Sequence, residues 1–493
     1  MRHICVSILA AAASFAADPA LTVYNQQFAI VRETIPLKLQ AGANRIEFAG
    51  VTASVEPESV ILRDPAGKRA LSILEQNYRA DPIALEALLA AYEGKTIEFQ
   101  VRSADRTEIV QGKIIRAGSM PRTMYDPAAY SMRQQMAMPS PPIIEVAGKL
   151  RFELPGTPLF PALSAGAQLK PALTWIIHTG TAGPLDAELS YASGGFNWEA
   201  DYNIVQGAAG TIDLTGWVTI ENRSGKAFEN AAVKLMAGDV NKVAPRGGVG
   251  GGVVGGLVSS AGMAGQVAPV TEKTFDEYHL YTLPRPVTLL DKESKQVEFL
   301  RAQGIKAEVL YVYDGANIDW NRYRHAPAEM LRQDTGFGAQ SQSKVWVMRE
   351  FINTTANRLG MALPKGKARF YRRDTDGRME FTGEDTIDHT PENERIRVFT
   401  GAAFDIVGER RRTSFRIDHG RQSADESFEI KVRNRKKEPA EVRVVEHMYR
   451  WTGWEIPVSS MPPNKTDAQT AEFRVSLQPG EEKTVTYAVH YQW

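Results

Sequence analysis

Apolar and polar residues alternate with period two along much of this chain, and that alternation predicts half-buried β-strands. Between Thr96 and Arg102, the residues Ile97, Phe99 and Val101 share one face. Between Glu472 and Leu477, Phe473, Val475 and Leu477 do the same. The closing stretch carries Val485, Tyr487, Val489, Tyr491 and Trp493 on one face, directly after a polar Pro479-Gly480 turn. A turn feeding a last strand fits the terminus of a β-sandwich.

A second pattern recurs three times. Trp217–Glu221, Val345–Phe351 and Phe428–Val432 read as strands, each followed by a polar corner and a returning apolar run. The corners open on Asn222, Asn353 and Asn434. Asn suits such corners because it tolerates positive φ and bonds its own backbone. The three read either as corresponding hairpins in successive β-modules or as hairpins alike only in their turn chemistry. One helix stands out. Asp81 is a suitable N-cap, Pro82 fits the first turn, and Gly94 fits the stop. Leu85, Leu88, Leu89 and Tyr92 form an apolar stripe between them, expected to cover one end of a small N-terminal barrel or sandwich.

Two segments break the alternation. Met120–Pro142 carries five of the 14 methionines, and Arg246–Gln266 carries nine of the 40 glycines. Both read as long loops. No Gly-Lys-Ser/Thr follows the glycines, so a phosphate cradle is not expected there. The fold expected is mainly β: an N-terminal β-domain with one short helix, followed by β-sandwich, immunoglobulin-like modules. The expected blocks are a signal peptide at 1–17, an N-terminal domain at 18–155 with a Met/Pro-rich loop at 118–142, a central region at 156–399 with a Gly-rich loop at 246–266, and a C-terminal module at 400–493.

The chain has 493 residues, which suggests about three domains. Lys+Arg and Asp+Glu both total 58, so the net charge is zero. Nucleic acid is therefore not an expected partner, since phosphate neutralisation needs a basic excess or patch. The single cysteine is Cys5, leaving no later thiolate for a disulfide, a metal or catalysis. Arg2 and His3, the apolar run Ile4–Ala13 and the small residues of Ser14-Phe15-Ala16 read as a secretory signal peptide, with cleavage near Ala16 or Ala17. No later segment is long and apolar enough to span a membrane. The expected location is the periplasm or the exterior.

Candidate chemistry is sparse. No pair of the eight histidines has His-x-x-x-His spacing, and no Gly-x-Ser-x-Gly elbow is present. No catalytic residue and no cofactor are expected. The best acidic cluster runs from Asp374 to Asp388, and within it Asp374, Asp376, Glu384 and Asp385 are candidate Ca²⁺ ligands. The same carboxylates could instead serve a hydrolase. A type I′ turn at Asp376-Gly377 accounts for the cluster without either. Tyr449, Trp451 and Trp454 are the candidate binding surface, where aromatics could stack on sugars or anchor a partner. The alternative is that they fill a core. The basic runs Arg410–Arg412 and Arg433–Lys437 could meet anionic envelope polymers or simply protect hairpin edges.

Several stretches resemble one family. Leu21-Thr22-Val23-Tyr24-Asn25, Val31-Arg32, Leu39-Gln40-Ala41-Gly42 and Glu58-Ser59-Val60 resemble the start of bacterial exported proteins carrying the domain DUF4139, relatives of proteins labelled mucoidy inhibitor A-like. Leu189-Ser190-Tyr191, Asn197 to Tyr202, Asp213 to Trp217, Leu235 to Asp239, Leu363 to Gly366 and the closing strand resemble that domain itself. The resemblance implies an exported β-rich protein and supplies no catalytic residues. The expected task is a non-enzymatic binding or structural role toward an envelope protein or polymer. The rivals are an envelope hydrolase and an assembly subunit that exchanges a strand, through the C-terminal strand for example.

Overall fold

The structure, a computed structural model, describes residues 18–79, 85–103, 106–118, 141–161, 170–207, 210–238, 240–242 and 270–493. The expected signal peptide with Cys5, the cap residues Asp81 and Pro82, nearly all of the Met/Pro-rich loop and the whole Gly-rich loop lie outside these residues.

The fold is mainly β, as the alternation predicts, and is built from several open sheets in a β-sandwich-like arrangement. The chain forms two compact units. One comprises residues up to Trp198 together with Ile220–Lys295, and the other comprises Glu199–Thr219 together with Gln296–Trp493. Both units are assembled from two separate stretches of the chain. Ala20–Tyr24 pairs in parallel with Phe228–Ala237, with Leu21 beside Val233, so the N-terminal strand completes a sheet with residues 212 positions later. A border at 399/400 falls inside one strand, Arg395–Asp418.

In the first unit the largest sheet runs Thr271–Phe275, Tyr278–Thr282, Phe228–Ala237, Ala20–Tyr24, Phe28–Leu39, Gly183–Gly194, Ile61–Arg63. A smaller sheet holds Thr96–Ser103 and Arg106–Arg116. Its core gathers Ile97, Phe99, Ile114 and Ile144 with Leu89 of the helix Leu85–Ala91. Leu89, with Tyr92 just beyond the helix, covers this small sheet, whereas Leu85 of the same predicted stripe is exposed.

In the second unit one sheet has nine strands, in the order Trp454–Ser459, Glu482–Gln492, Ser423–Asn434, Arg395–Asp418, Lys344–Ile352, Glu308–Asp314, Ala440–His447, Thr470–Leu477, Asn464–Lys465. It folds over on itself. Phe428, Ile430 and Val432 from one half meet Val442, Val444, Phe473 and Val475 from the other in a single buried cluster. The closing strand is central to it: Val485, Tyr487, Val489 and Tyr491 are buried there. That strand pairs Ser423–Asn434 on one side and Trp454–Ser459 on the other, so over the latter stretch it offers no free edge for strand exchange. Gly408 is required where Tyr313 crosses the sheet, because a Cβ there would stand 2.2 Å from the Tyr313 ring. A five-stranded sheet runs Glu293–Lys306, Thr211–Asn222, Phe196–Gln206, Gly366–Arg373, Met379–Ile387.

The three asparagine corners are all present and share one construction. Asn222, Asn353 and Asn434 are fully buried. Asn222 Nδ2 donates to the carbonyls of Lys226, Leu289 and Leu290, while its Oδ1 accepts from the Ser224 amide. Asn353 Nδ2 donates to Met361, Thr390 and Pro391, and its Oδ1 accepts from Gly360. Asn434 Nδ2 donates to Glu438, Leu477 and Gln478, and its Oδ1 accepts from Lys436. None of the three has positive φ, so that part of the expected reason fails, while the expected bonding to the local backbone is present. The side chain ties its own turn to a second loop, and the amide is chosen because it alone offers two donors and an acceptor at that length.

Truncating any of these buried amides strands several carbonyls. Asn353→Ala and Asn434→Ala should each cost on the order of 2–4 kcal/mol, measured as a shift in the denaturant midpoint. Asn464→Ala, on an exposed edge, should stay within about 0.5 kcal/mol of the parent. Equal midpoints for all three variants would refute the clamp.

Candidate functional site

The acidic candidates do not converge. Asp374 and Asp376 sit on the exposed turn between Gly366–Arg373 and Met379–Ile387. Their carboxylates are engaged by that turn: Asp374 Oδ1 accepts from the Thr375 amide at 2.7 Å and Asp376 Oδ1 from the Arg378 amide at 2.9 Å. The turn is not type I′, which needs positive φ at both central residues. Here only Gly377, at φ +86°, has it. Glu384 lies well along the following strand and pairs with Arg369 at 3.5 Å. Its neighbour Asp385 points to the other face and accepts from the Phe399 amide at 2.8 Å. Among the described residues no group of three His, Cys, Asp or Glu could hold a metal ion.

The aromatic candidates are half-buried, and each already has a partner within the chain. Tyr449 packs edge-on against Trp320 and Phe337, at 5.9 and 6.3 Å. Trp451 lies under the Arg332 guanidinium at 3.8 Å. Trp454 donates its indole N–H to the Ala468 carbonyl at 2.7 Å and lies beneath Lys465. Trp320, Phe337 and Arg332 belong to one segment that carries two short helices, Trp320–Tyr323 and Ala328–Gln333.

Three arginines fasten that segment. Arg450 Nη1 donates to the carbonyls of Leu331, Arg332 and Asp334, and its Nη2 to Phe337. Arg410 Nη1 reaches the Gly338 carbonyl at 2.7 Å, and Arg412 reaches Phe337 and Thr335. Two buried carboxylates balance them. Glu446 takes Arg410 Nε at 2.9 Å and the Tyr487 hydroxyl. Glu426 takes Arg412 and Arg450 Nη2, both at 3.0 Å, and also lies 3.0 Å from Arg450 Nε without hydrogen-bond alignment. Burial alone lowers the Arg410 guanidinium, but Glu446 and Tyr487 more than offset it and hold it above its ordinary value. The basic run is thus no solvated edge: Arg410 is buried and Arg412 half-buried, while Arg411 turns outward to Glu429. The space enclosed by Arg410, Glu426, His447, Tyr449 and Tyr487 is about 10 Å³, room for a single water.

A groove of about 1060 Å³ lies within the second unit. Seven cations line it against four carboxylates. Among the described residues Arg349, Arg372, Arg435, Lys437 and Arg443 have no carboxylate at ion-pair distance, whereas Lys436 reaches Glu438 and Arg474 reaches Glu472. Arg443 faces Arg474 directly across paired strands, and like charges so opposed are destabilising. The Nε of Arg443 is buried with no partner. Arg349 is half-buried and donates only to the neutral Gln206 Oε1, at 3.0 Å. Burial pushes its guanidinium below the ordinary value and Arg372 pushes the same way, while Tyr311 opposes them. Tyr311 is the only aromatic in the lining and accepts from Lys436 Nζ at 2.6 Å. No local pattern marks Arg349, Arg372, Arg443 and Arg474, which come from four separate strands. Only Arg433–Lys437 was visible, as a basic run.

Arg450→Met should free the Trp320–Gln342 segment and leave Glu426 poorly compensated, at a cost on the order of 3–5 kcal/mol. Limited proteolysis should then cut between residues 320 and 342. Arg450→Lys should fail to rescue, because an ammonium cannot fork to several carbonyls. An uncut segment in Arg450→Met would refute the fastening role.

His447 gives a pH dependence. The hydrogen bond to Asp314, at 3.1 Å, raises it, burial opposes this, and the charges of Asp314 and Glu446 raise it further. A raised folded value means the stabilisation is fully present below the ordinary histidine range, about 6.5, and is lost as pH rises through the folded value. Melting temperatures taken across that range should converge between the parent and His447→Gln as pH rises. A gap that stays constant would contradict the pairing.

Residues 187–493 match a protein family described as Domain of unknown function (DUF4139). No curated protein and no solved structure matches the chain.

Proposed function

Since the chain belongs to the DUF4139 family, whose description assigns no activity, we propose a function from the chain's own geometry: a non-enzymatic protein of the cell envelope or exterior that binds an anionic envelope polymer in its basic groove. The observation that carries this reading is the row of five groove cations with no carboxylate partner among the described residues. Two of the five, Arg349 and Arg443, are half-buried, where an unpaired charge is costly and a bound anion lowers that cost, while Arg372, Arg435 and Lys437 add exposed positive charge beside them. A polymer is favoured over an acidic protein because protein interfaces concentrate Trp, Tyr, Phe and Met at their centres, and this lining has one aromatic. The zero net charge supports a local patch rather than a general polyanion binder. The signal-like N-terminus supports a place outside the cytoplasm, and no helix among the described residues is long and apolar enough to cross a membrane. The carboxylates a hydrolase would draw on stand on an exposed turn and on opposite faces of one strand.

Retention on immobilised acidic polymers tests this. The purified chain should be held at low salt by a polyuronate or a poly(glycerol phosphate) and released as salt screens the groove. Arg435→Gln, Lys437→Gln and Arg443→Gln combined should elute at clearly lower salt. Retention on neither polymer, or unchanged elution of the folded variant, would sink the reading. Stronger retention on single-stranded nucleic acid, lost in the same variant, would replace the envelope polymer with a different ligand class.

A further inference from the structure

Resting on the groove reading, we infer that one subsite within it, formed by Arg349, Arg372 and Lys436 with Tyr311 and Gln206, takes a phosphate-type dianion. The register brings these residues together. Gln206 lies beside Arg372 on adjacent parallel strands, and its Oε1 accepts from Arg349 Nη2 at 3.0 Å. One neutral amide thereby holds Arg349 close to Arg372 without cancelling either charge. Val309 lies opposite Arg349 on the neighbouring strand, two residues before Tyr311, whose hydroxyl oxygen accepts from Lys436 Nζ at 2.6 Å. That oxygen is occupied as an acceptor, so the Tyr311 proton is left to donate.

Charge and shape both select the ligand. Arg349 and Arg372 have no carboxylate at ion-pair distance among the described residues, although Glu380 lies opposite Arg372 on the paired strand, and Lys436 has only Glu438, at 3.9 Å. A carboxylate supplies one negative charge on two oxygens. A phosphomonoester supplies about −1.5 to −2 and three strong acceptor oxygens. Two guanidinium forks, an ammonium and a phenol O–H together match the tetrahedral dianion, each fork being able to bind it bidentately. A free inorganic phosphate and the phosphorylated sugar of a polymer share this chemistry.

Calorimetric titration of the purified chain separates the cases, with inorganic phosphate, glucose 6-phosphate and glucuronate as probes. Both phosphates should bind at least about tenfold more tightly than glucuronate. Glucose 6-phosphate binding more tightly than inorganic phosphate would point to a sugar phosphate as the source, and the reverse order to the free anion. Arg372→Gln, at an exposed position, and Arg349→Gln should each weaken phosphate binding about tenfold, with melting curves confirming the fold. Lys344→Gln, exposed and outside the groove lining, should leave it unchanged. Glucuronate binding as tightly as the phosphates, or phosphate binding that ignores both arginine variants, would overturn the inference. Retention on acidic polymers without phosphate binding would overturn the subsite alone and leave the groove reading standing. Loss of retention on every polymer would remove both.

Discussion

A buried asparagine amide holding two loops at once is the constraint on which this architecture depends. Each of Asn222, Asn353 and Asn434 sits where a strand ends, and each gathers carbonyls from its own turn and from a loop distant in sequence. Strands in a sandwich are held by ladder bonds along their length, but their ends must be fastened by something else. These amides do so without exposing a backbone group, and each sets where the returning strand begins. For Asn434 that loop is Gln478–Glu481, which starts the closing strand, and so one side chain places the strand that fills the core.

The second unit treats its arginines in two contrasting ways. Arg410, Arg412 and Arg450 are drawn into the fold against Glu426 and Glu446, and their remaining N–H groups are spent on carbonyls of one segment. Arg349, Arg372 and Arg443 lie in the same unit and lack such partners among the described residues. The first set is neutralised where it holds structure, and the second set is what the proposed groove reading rests on. Both sets are arginines rather than lysines for one reason: a planar fork stays charged when partly buried and still addresses several oxygens.

The legible part of the structure is the part encoded locally. Period-two alternation marks Thr96–Ser103, Thr470–Leu477 and Glu482–Gln492, and the leucine stripe marks Leu85–Ala91, because each pattern reports burial within a few consecutive residues. The asparagine corners were legible as corners, but their chemistry was not, since the partner carbonyls lie up to 68 positions away. The groove was illegible for the same reason. Gln206, Arg349, Arg372 and Arg443 are ordinary strand residues until the strand order is known. The Arg410–Arg412 run misled in the opposite sense: three adjacent cations suggest a solvated edge, while alternation sends the first and third inward.

The chain order of the two units carries a consequence for synthesis. Glu199–Thr219 belongs to the second unit, yet it is made before Ile220–Lys295, which completes the first. Within it Ala200, Tyr202, Ile204, Ile212, Leu214 and Val218 are buried in the finished protein. At roughly 5–20 residues per second, this apolar stretch emerges and then waits several seconds while the first unit is finished around it in sequence. Its partners from Gln296 onward are still unmade. During that interval Thr211–Asn222 and Phe196–Gln206 have only each other to pair with, and the outer edges of that hairpin stay open until Glu293–Lys306 and Gly366–Arg373 are made.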